Sequence, residues 1–196
     1  MSSRIYTRTG DKGETSLFTG QRVAKNNSFI EALGNVDEAN ATIGVVRACL
    51  PADAQLNKVN EQLEIIQHAL FDVGAALATP RSCQSEQKIK KTRFDEESIA
   101  FIEQWIDEME GALPTLHNFI LPGGHLAGAM LHMARTTVRS AERFVISLYE
   151  QGDVAQAVLI YLNRLSDYLF VLSRFVNHHL KVAETIWQPH KIALNN

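Results

Sequence analysis

Apolar residues recur every three or four positions over most of this chain, a spacing that predicts amphipathic helices. Phe29, Ala32, Leu33, Val36, Ala39, Ile43 and Val46 form a first stripe, which begins at Ser28 and stops near Leu50, before Pro51. Leu56, Val59, Leu63, Ile66, Leu70, Val73 and Leu77 form a second, predicting a helix over 52–77 closed by Thr79-Pro80. Residues 80–94 are polar and carry Lys88, Lys90, Lys91 and Arg93, which reads as a surface loop. A third helix is expected over 95–109 with Ile99, Ile102, Trp105 and Ile106 inward, a fourth over 124–149 and a fifth over 154–181, with Gly152 between these last two. Five long helices with short connections predict an all-α antiparallel bundle, and no strand-like alternation competes with it. Residues 1–27 show no helical period and are punctuated by Gly10, Gly13 and Gly20, so they read as a loop rather than a separate domain. The chain is therefore expected to be a single domain over 1–196, with a loop segment at 1–27, a bundle at 28–181 and a tail at 182–196.

Composition narrows the function classes. Of 196 residues, 45% are hydrophobic and 21% charged, proportions that suit a folded domain with a real core. A formal net charge of -3 argues against general attraction to nucleic acid or to an anionic membrane. The two cysteines, Cys49 and Cys83, match neither a zinc site nor a disulfide framework and read as free thiols in a reducing compartment. The start, Ser2-Ser3-Arg4-Ile5-Tyr6, lacks the apolar stretch of a secretion signal, and no apolar run approaches the ~18 residues of a membrane helix. A cytoplasmic protein is expected.

Four segments bear chemistry. Tyr6 to Ser16, Tyr-Thr-Arg-Thr-Gly-Asp-Lys-Gly-Glu-Thr-Ser, offers glycines for close backbone approach, hydroxyl donors and the charges of Arg8 and Lys12, and Lys25 follows. A polyphosphate needs those groups, yet the segment fits neither a Walker A loop nor a dinucleotide fingerprint, and a plain surface loop explains its composition equally well. Arg135, Arg139, Glu142 and Arg143 stand on one stripe of the fourth helix, either as an anion site or as a solvated face. On the fifth helix Asn163 and Asp167 share a face, and an Asn inside an apolar bundle needs a partner, which a bound base or ribose or a neighbouring backbone would supply. Asp37 and Asn40 lie one turn apart near Gly34, whose place inside a helix fits either a close helix crossing or a nearby ligand. Seven histidines raise a metal hypothesis, but no Glu-x-x-His motif of a di-iron bundle occurs, and surface or satisfied core histidines are the simpler reading. Only His125, beside the Pro-Gly-Gly turn, stands near a ligand candidate. Trp105, Phe144 and Phe170 are expected in the core.

Taken in order, YTRTGDKG, FTGQRVAKN, EALGNVDEANATIG, FILPGG, ARTTVRSAER and YLNRLSDYLF resemble the PduO-type ATP:cob(I)alamin adenosyltransferases across nearly the whole chain. The resemblance implies a five-helix bundle assembled as a homotrimer with active sites between subunits. It also implies a transferase of an alkyl group, which uses Mg-ATP and a corrinoid reduced from cobalt(II) to cobalt(I), and which yields adenosylcobalamin and inorganic triphosphate. It assigns Thr7, Arg8, Thr9, Gly10, Thr15, Ser16 and Lys25 to ATP, with Asp11, Lys12 and Gly13 in the same loop, and Arg139, Glu142, Arg143 and Asn163 to the nucleotide. Asp37 and Arg135 match a pair that bridges subunits beside the site and, with Arg139, make up the catalytic set. Phe119 matches the aromatic residue that packs on the lower face of the corrin ring. A flavin-type reductase and a B12-dependent mutase are the implied partners, with no nucleic acid and no membrane. The sequence departs from the family at Ser140, where a second arginine is common, at His125, where Ser often follows Pro-Gly-Gly, and at Thr19, where Gly is frequent.

Two rivals remain at this level: a corrinoid carrier that delivers adenosylcobalamin to a mutase, and a nucleotide-sensing module without turnover. A pure carrier has no use for triphosphate contacts, so release of triphosphate separates it from the transferase.

Overall fold

The computed structural model describes residue 6 and residues 8–189. Six helices make up the bundle: α1 (Ser28–Cys49), α2 (Ala54–Leu77), α3 (Glu86–Lys91), α4 (Glu97–Glu110), α5 (Leu126–Glu150) and α6 (Gln156–His179). Five of them answer the five expected stripes, with ends trimmed by their caps. Asn27 accepts a hydrogen bond from the Phe29 N–H at the start of α1, and Asp53 accepts from Gln55 and Leu56 at the start of α2. The sixth is a correction. The short α3 forms inside the expected 80–94 loop, started by Ser85 and burying none of its residues, so no apolar stripe could have announced it. A second correction lies in the N-terminal segment. Strands β1 (Glu14–Ser16) and β2 (Arg22–Ala24) pair as an antiparallel hairpin, Thr15 opposite Val23, too short to show alternation.

The core holds all seven apolar residues expected of α2, and Ala32, Val36, Ala39, Ile43 and Val46 of α1. The central element is α6, buried on every side from Val171 to Asn177, with α5 on one flank and α4 on the other. Helices α5 and α6 run antiparallel, placing Glu142 against Asn163, His132 against Ser173, and the helix start at His125 against Asn177. Helices α4 and α6 run parallel, as the first and third helices of an up-down-up course through α5. Glu103 meets Arg164, Trp105 meets Tyr168, and Pro114 meets Arg174.

At its end α6 approaches the turn before α5 so closely that a Cβ on Gly124 or Gly128 would run into the Asn177 side chain. Gly124 also has φ +97, which side-chain-bearing residues rarely adopt. The expected tail turns back onto the fold. Ile186 bridges Ile120 in antiparallel fashion, Leu121 N donates to Thr185 O at 2.8 Å, and Trp187 N donates to Phe119 O at 2.8 Å. Among the described residues no helix is long and apolar enough to cross a membrane.

Candidate functional site

Between α4, α5 and α6 lies a cleft of about 870 Å³. Arg135 and Arg139 enter it from α5, Glu103, Asp107 and Glu110 from α4, and Arg164, Asp167 and Phe170 from α6, with Phe119 and Ile120 at its margin. Arg164 is paired with Glu103 at 2.8 Å and Asp167 at 3.5 Å, whereas the α5 arginines have no ion pair among the described residues. Arg135 is half-buried and its Nε–H has no partner among the described residues. Burial, and then the neighbouring charge of Arg139, pushes its pKa below the usual arginine value. Such a donor calls for an anionic acceptor. One turn further on, Asn163 Nδ2 donates to Glu142 Oε1 at 2.9 Å and Arg143 donates to Ser140 Oγ at 2.9 Å.

Three expectations change here. Asn163 is exposed rather than inside the bundle, and its partner is Glu142. Phe144 is 42% exposed rather than in the core, since it shares the outward side of α5 with Arg143. Trp105 and Phe170 are half-buried at the core's edge rather than enclosed by it.

Beneath the cleft, His132 is buried against Phe170 and Ser173. Ser173 Oγ gives its only proton to Phe170 O at 2.7 Å, so it accepts from His132 Nε2–H at 3.2 Å. Nδ1 then holds a lone pair with no partner, and burial followed by the charge of Arg135 keeps the ring's pKa below its ordinary value. His125 caps α5, its Nδ1 accepting from the Ala127 N–H at 3.1 Å.

The second part of the site is the N-terminal hairpin. Lys25 N donates to Gly13 O at 2.8 Å, continuing the hairpin, and Gly13 N closes a turn onto Gly10 O at 3.2 Å, which together lay the Lys25 ammonium over Gly10. Arg22 donates to Thr9 O at 2.9 Å and pairs with Glu14. Arg8 has φ 60, a left-handed conformation costing about 1–3 kcal/mol in a non-glycine residue, and its guanidinium lies 5.6 Å from the Tyr6 ring centre. Thr15 is half-buried in β1, while Arg8, Thr9, Asp11, Lys12, Ser16 and Lys25 face solvent. Thr7 lies outside the described residues. The result is a cationic loop that carries hydroxyl side chains, suited to a polyanion.

The sequence profile described as cobalamin adenosyltransferase matches residues 5–176. The chain belongs to that family. It is 41% identical to corrinoid adenosyltransferase MMAB of Mus musculus, over 96% of this chain and 79% of that protein. It is 39% identical to the corrinoid adenosyltransferase of Bacillus subtilis (strain 168), over 98% of this chain and 96% of that one. A variant PduO-type ATP:corrinoid adenosyltransferase from Lactobacillus reuteri, complexed with cobalamin and ATP, superimposes with a TM-score of 0.85 at 34% identity, over 94% of this chain and 99% of that chain.

Of the residues that the family resemblance singled out, Phe119, Arg135 and Arg139 share the cleft, with Glu142, Arg143 and Asn163 next to it. The N-terminal hairpin contributes nothing to the cleft's described lining. It rests instead on the far end of the bundle, where Phe18 N donates to Ala78 O and Lys88 Nζ to Thr19 O. Asp37 is exposed on α1 and forms no ion pair among the described residues. Sequence reasoning missed the carboxylates of α4, although Glu103, Asp107 and Glu110 repeat at helical spacing. It also missed Arg174 and Asn177, which nothing distinguished from any other polar residue near a helix end.

Proposed function

We propose that this chain transfers the 5′-deoxyadenosyl group of ATP to cob(I)alamin, giving adenosylcobalamin and inorganic triphosphate. The observation that carries the reading is the cleft where Arg135 and Arg139 stand one turn apart without ion-pair partners among the described residues, with Phe119 at its margin. Its membership of the cobalamin adenosyltransferase family supports the same reading.

Cobalt(I) is itself the nucleophile, so no serine, cysteine or histidine nucleophile is required. Its electron pair forms the bond to C5′, the C5′–O bond breaks, and triphosphate leaves with the bonding pair. Charge that grows on the leaving group is what Arg139, Arg143, Lys25, Arg8 and the backbone N–H groups of the Gly10–Gly13 turn stabilise. Thr7, Thr9, Thr15 and Ser16 add hydroxyl donors, and Glu142 and Asn163, already bonded to each other, orient the nucleoside. Phe119, 77% exposed, offers an apolar wall for the lower corrin face, which keeps the lower axial ligand away. Among the described residues no three His, Cys, Asp or Glu side chains converge on a metal-sized site. Mg²⁺ in this reading therefore travels on the triphosphate, as its preference for phosphate oxygens and water allows.

The hairpin and the cleft lie apart within one chain, so the complete site takes the hairpin of one subunit and the α5 face of the next, in a homotrimer. There Asp37 of one copy meets the unpartnered Nε–H of Arg135 of another. We place the protein in the cytoplasm as one domain over 1–196, supplied with reduced corrinoid by a flavin-type reductase and passing product to a B12-dependent mutase.

The test mixes purified protein with ATP, Mg²⁺ and chemically reduced cob(I)alamin, and follows adenosylcobalamin by absorbance while triphosphate is assayed. Equal formation of both is expected. Corrinoid binding without triphosphate would establish the carrier reading instead, and ATP binding without a cobalt–carbon bond the sensing one.

A further inference from the structure

Phe119 stands at the apex of the connection between α4 and α5 and is 77% exposed, so the core does not fix it. Its aromatic neighbour is Trp187, edge-on with ring centres 6.3 Å apart. What holds the apex is backbone: Phe119 O accepts from Trp187 N, and Leu121 N donates to Thr185 O, both at 2.8 Å. The Phe119 segment is thus positioned by the returning segment at 185–187, which must itself be anchored.

The anchor is a guanidinium. Arg174 is 6% exposed on α6, and a charge so buried is costly unless paired and fully bonded. Its Nε donates to the Glu184 carboxylate at 3.3 and 3.4 Å, one residue before the returning segment. One of its terminal nitrogens donates to Pro114 O at 2.9 Å, at the root of the Phe119 loop. A single side chain therefore grips both strands that flank the apex. One turn later Asn177 grips the far end, accepting from His125 N at 2.9 Å and donating to Gly123 O at 3.2 Å.

We infer that Arg174, acting through Glu184 and Pro114, is a positioning residue that sets the place of Phe119 at the mouth of the cleft. It touches neither substrate and governs how the corrinoid is received. The inference rests on the reading of Phe119 as a corrinoid contact, and the test keeps the two apart.

Glu184→Ala is the primary variant, because Glu184 lies in the returning segment rather than in a bundle helix; since it leaves the Arg174 charge unpaired, its effect is read only once a thermal melt shows a folded protein. Arg174→Met is the second, accepted only when its thermal melt shows a folded protein. In Glu184→Ala the KM for cob(I)alamin should rise about tenfold or more, as displaced positioning groups typically require, while ATP affinity measured without corrinoid stays unchanged. Combined with Phe119→Ala, it should add nothing further, since both remove the same placement.

Multiplying effects in the double variant, or an unchanged corrinoid KM in Glu184→Ala while Phe119→Ala is impaired, would overturn the positioning role alone. An unaltered corrinoid KM in Phe119→Ala would overturn the corrinoid reading of Phe119 and this inference with it.

Discussion

The N-terminal hairpin and the last turns of α6 each hold a loop, and they do so with different materials. In the hairpin the turns come from Gly13 and Gly20 at positive φ, the cations are exposed, and the Arg22–Glu14 pair is 41% and 57% exposed. Such a pair contributes little in water, and of the hairpin and its turn only Leu17 is buried. At the end of α6 the holding groups are Arg174 and Asn177, both buried and bonded to backbone carbonyls. A loop held by exposed charge can readjust around an arriving polyanion, whereas one held by buried, hydrogen-bonded groups is set before the ligand comes. In the proposed function the triphosphate meets the adjustable part and the corrin face the preset part.

The contrast can be broken in four places, in descending order of effect. Arg139→Ala removes the exposed cation nearest the cleft and should lower kcat about 10²–10³-fold, with an unchanged melting temperature, as loss of one transition-state donor typically does. Asp37→Ala should leave the single subunit folded but dissociate the assembly in a sedimentation experiment, and Arg135→Ala should do the same. A trimer that persists in both would show that the pair does not bridge subunits. Lys25→Ala should raise the KM for ATP about tenfold, the cost of one charge-assisted phosphate contact, and leave corrinoid binding unaltered. An equal loss for both substrates would mean that hairpin and cleft are not separable.

The smallest effect is a pH dependence. The folded-state pKa of His132 is depressed, by burial first and by Arg135 second, so the unfolded chain takes up its proton more readily. Stability should therefore be unaffected by this residue above its ordinary value of about 6.5 and should fall as pH drops below it, until the folded-state pKa is passed. His132→Gln should flatten the part of a melting-temperature profile that lies below about pH 6.5. A profile unchanged by the substitution would place the acid sensitivity elsewhere.

Periodicity made the bundle legible because five helices bury continuous stripes. It could not reveal α3, which buries nothing, nor a hairpin whose strands span Glu14–Ser16 and Arg22–Ala24. Motif order identified the family, and Phe119, Arg135 and Arg139 do share a cleft. The depth of Asn163 and Phe144 was not legible, because spacing gives a helix face but not its burial. Asn163 and Phe144 lie on the outer side, where a pattern of i and i+4 looks the same as on the inner one. Arg174 was illegible for a related reason. Its partners, Pro114 and Glu184, are brought to it by a loop and a returning segment whose course no local rule predicts.

The separation of Pro114 from Arg174, sixty positions along the chain, also orders events during synthesis. A ribosome exposes the hairpin, α1 and the arginine stripe of α5 before the residues that steady Phe119 have been made. In the proposed function the corrin-facing loop is therefore the last part to acquire its shape, once residues 174–187 emerge.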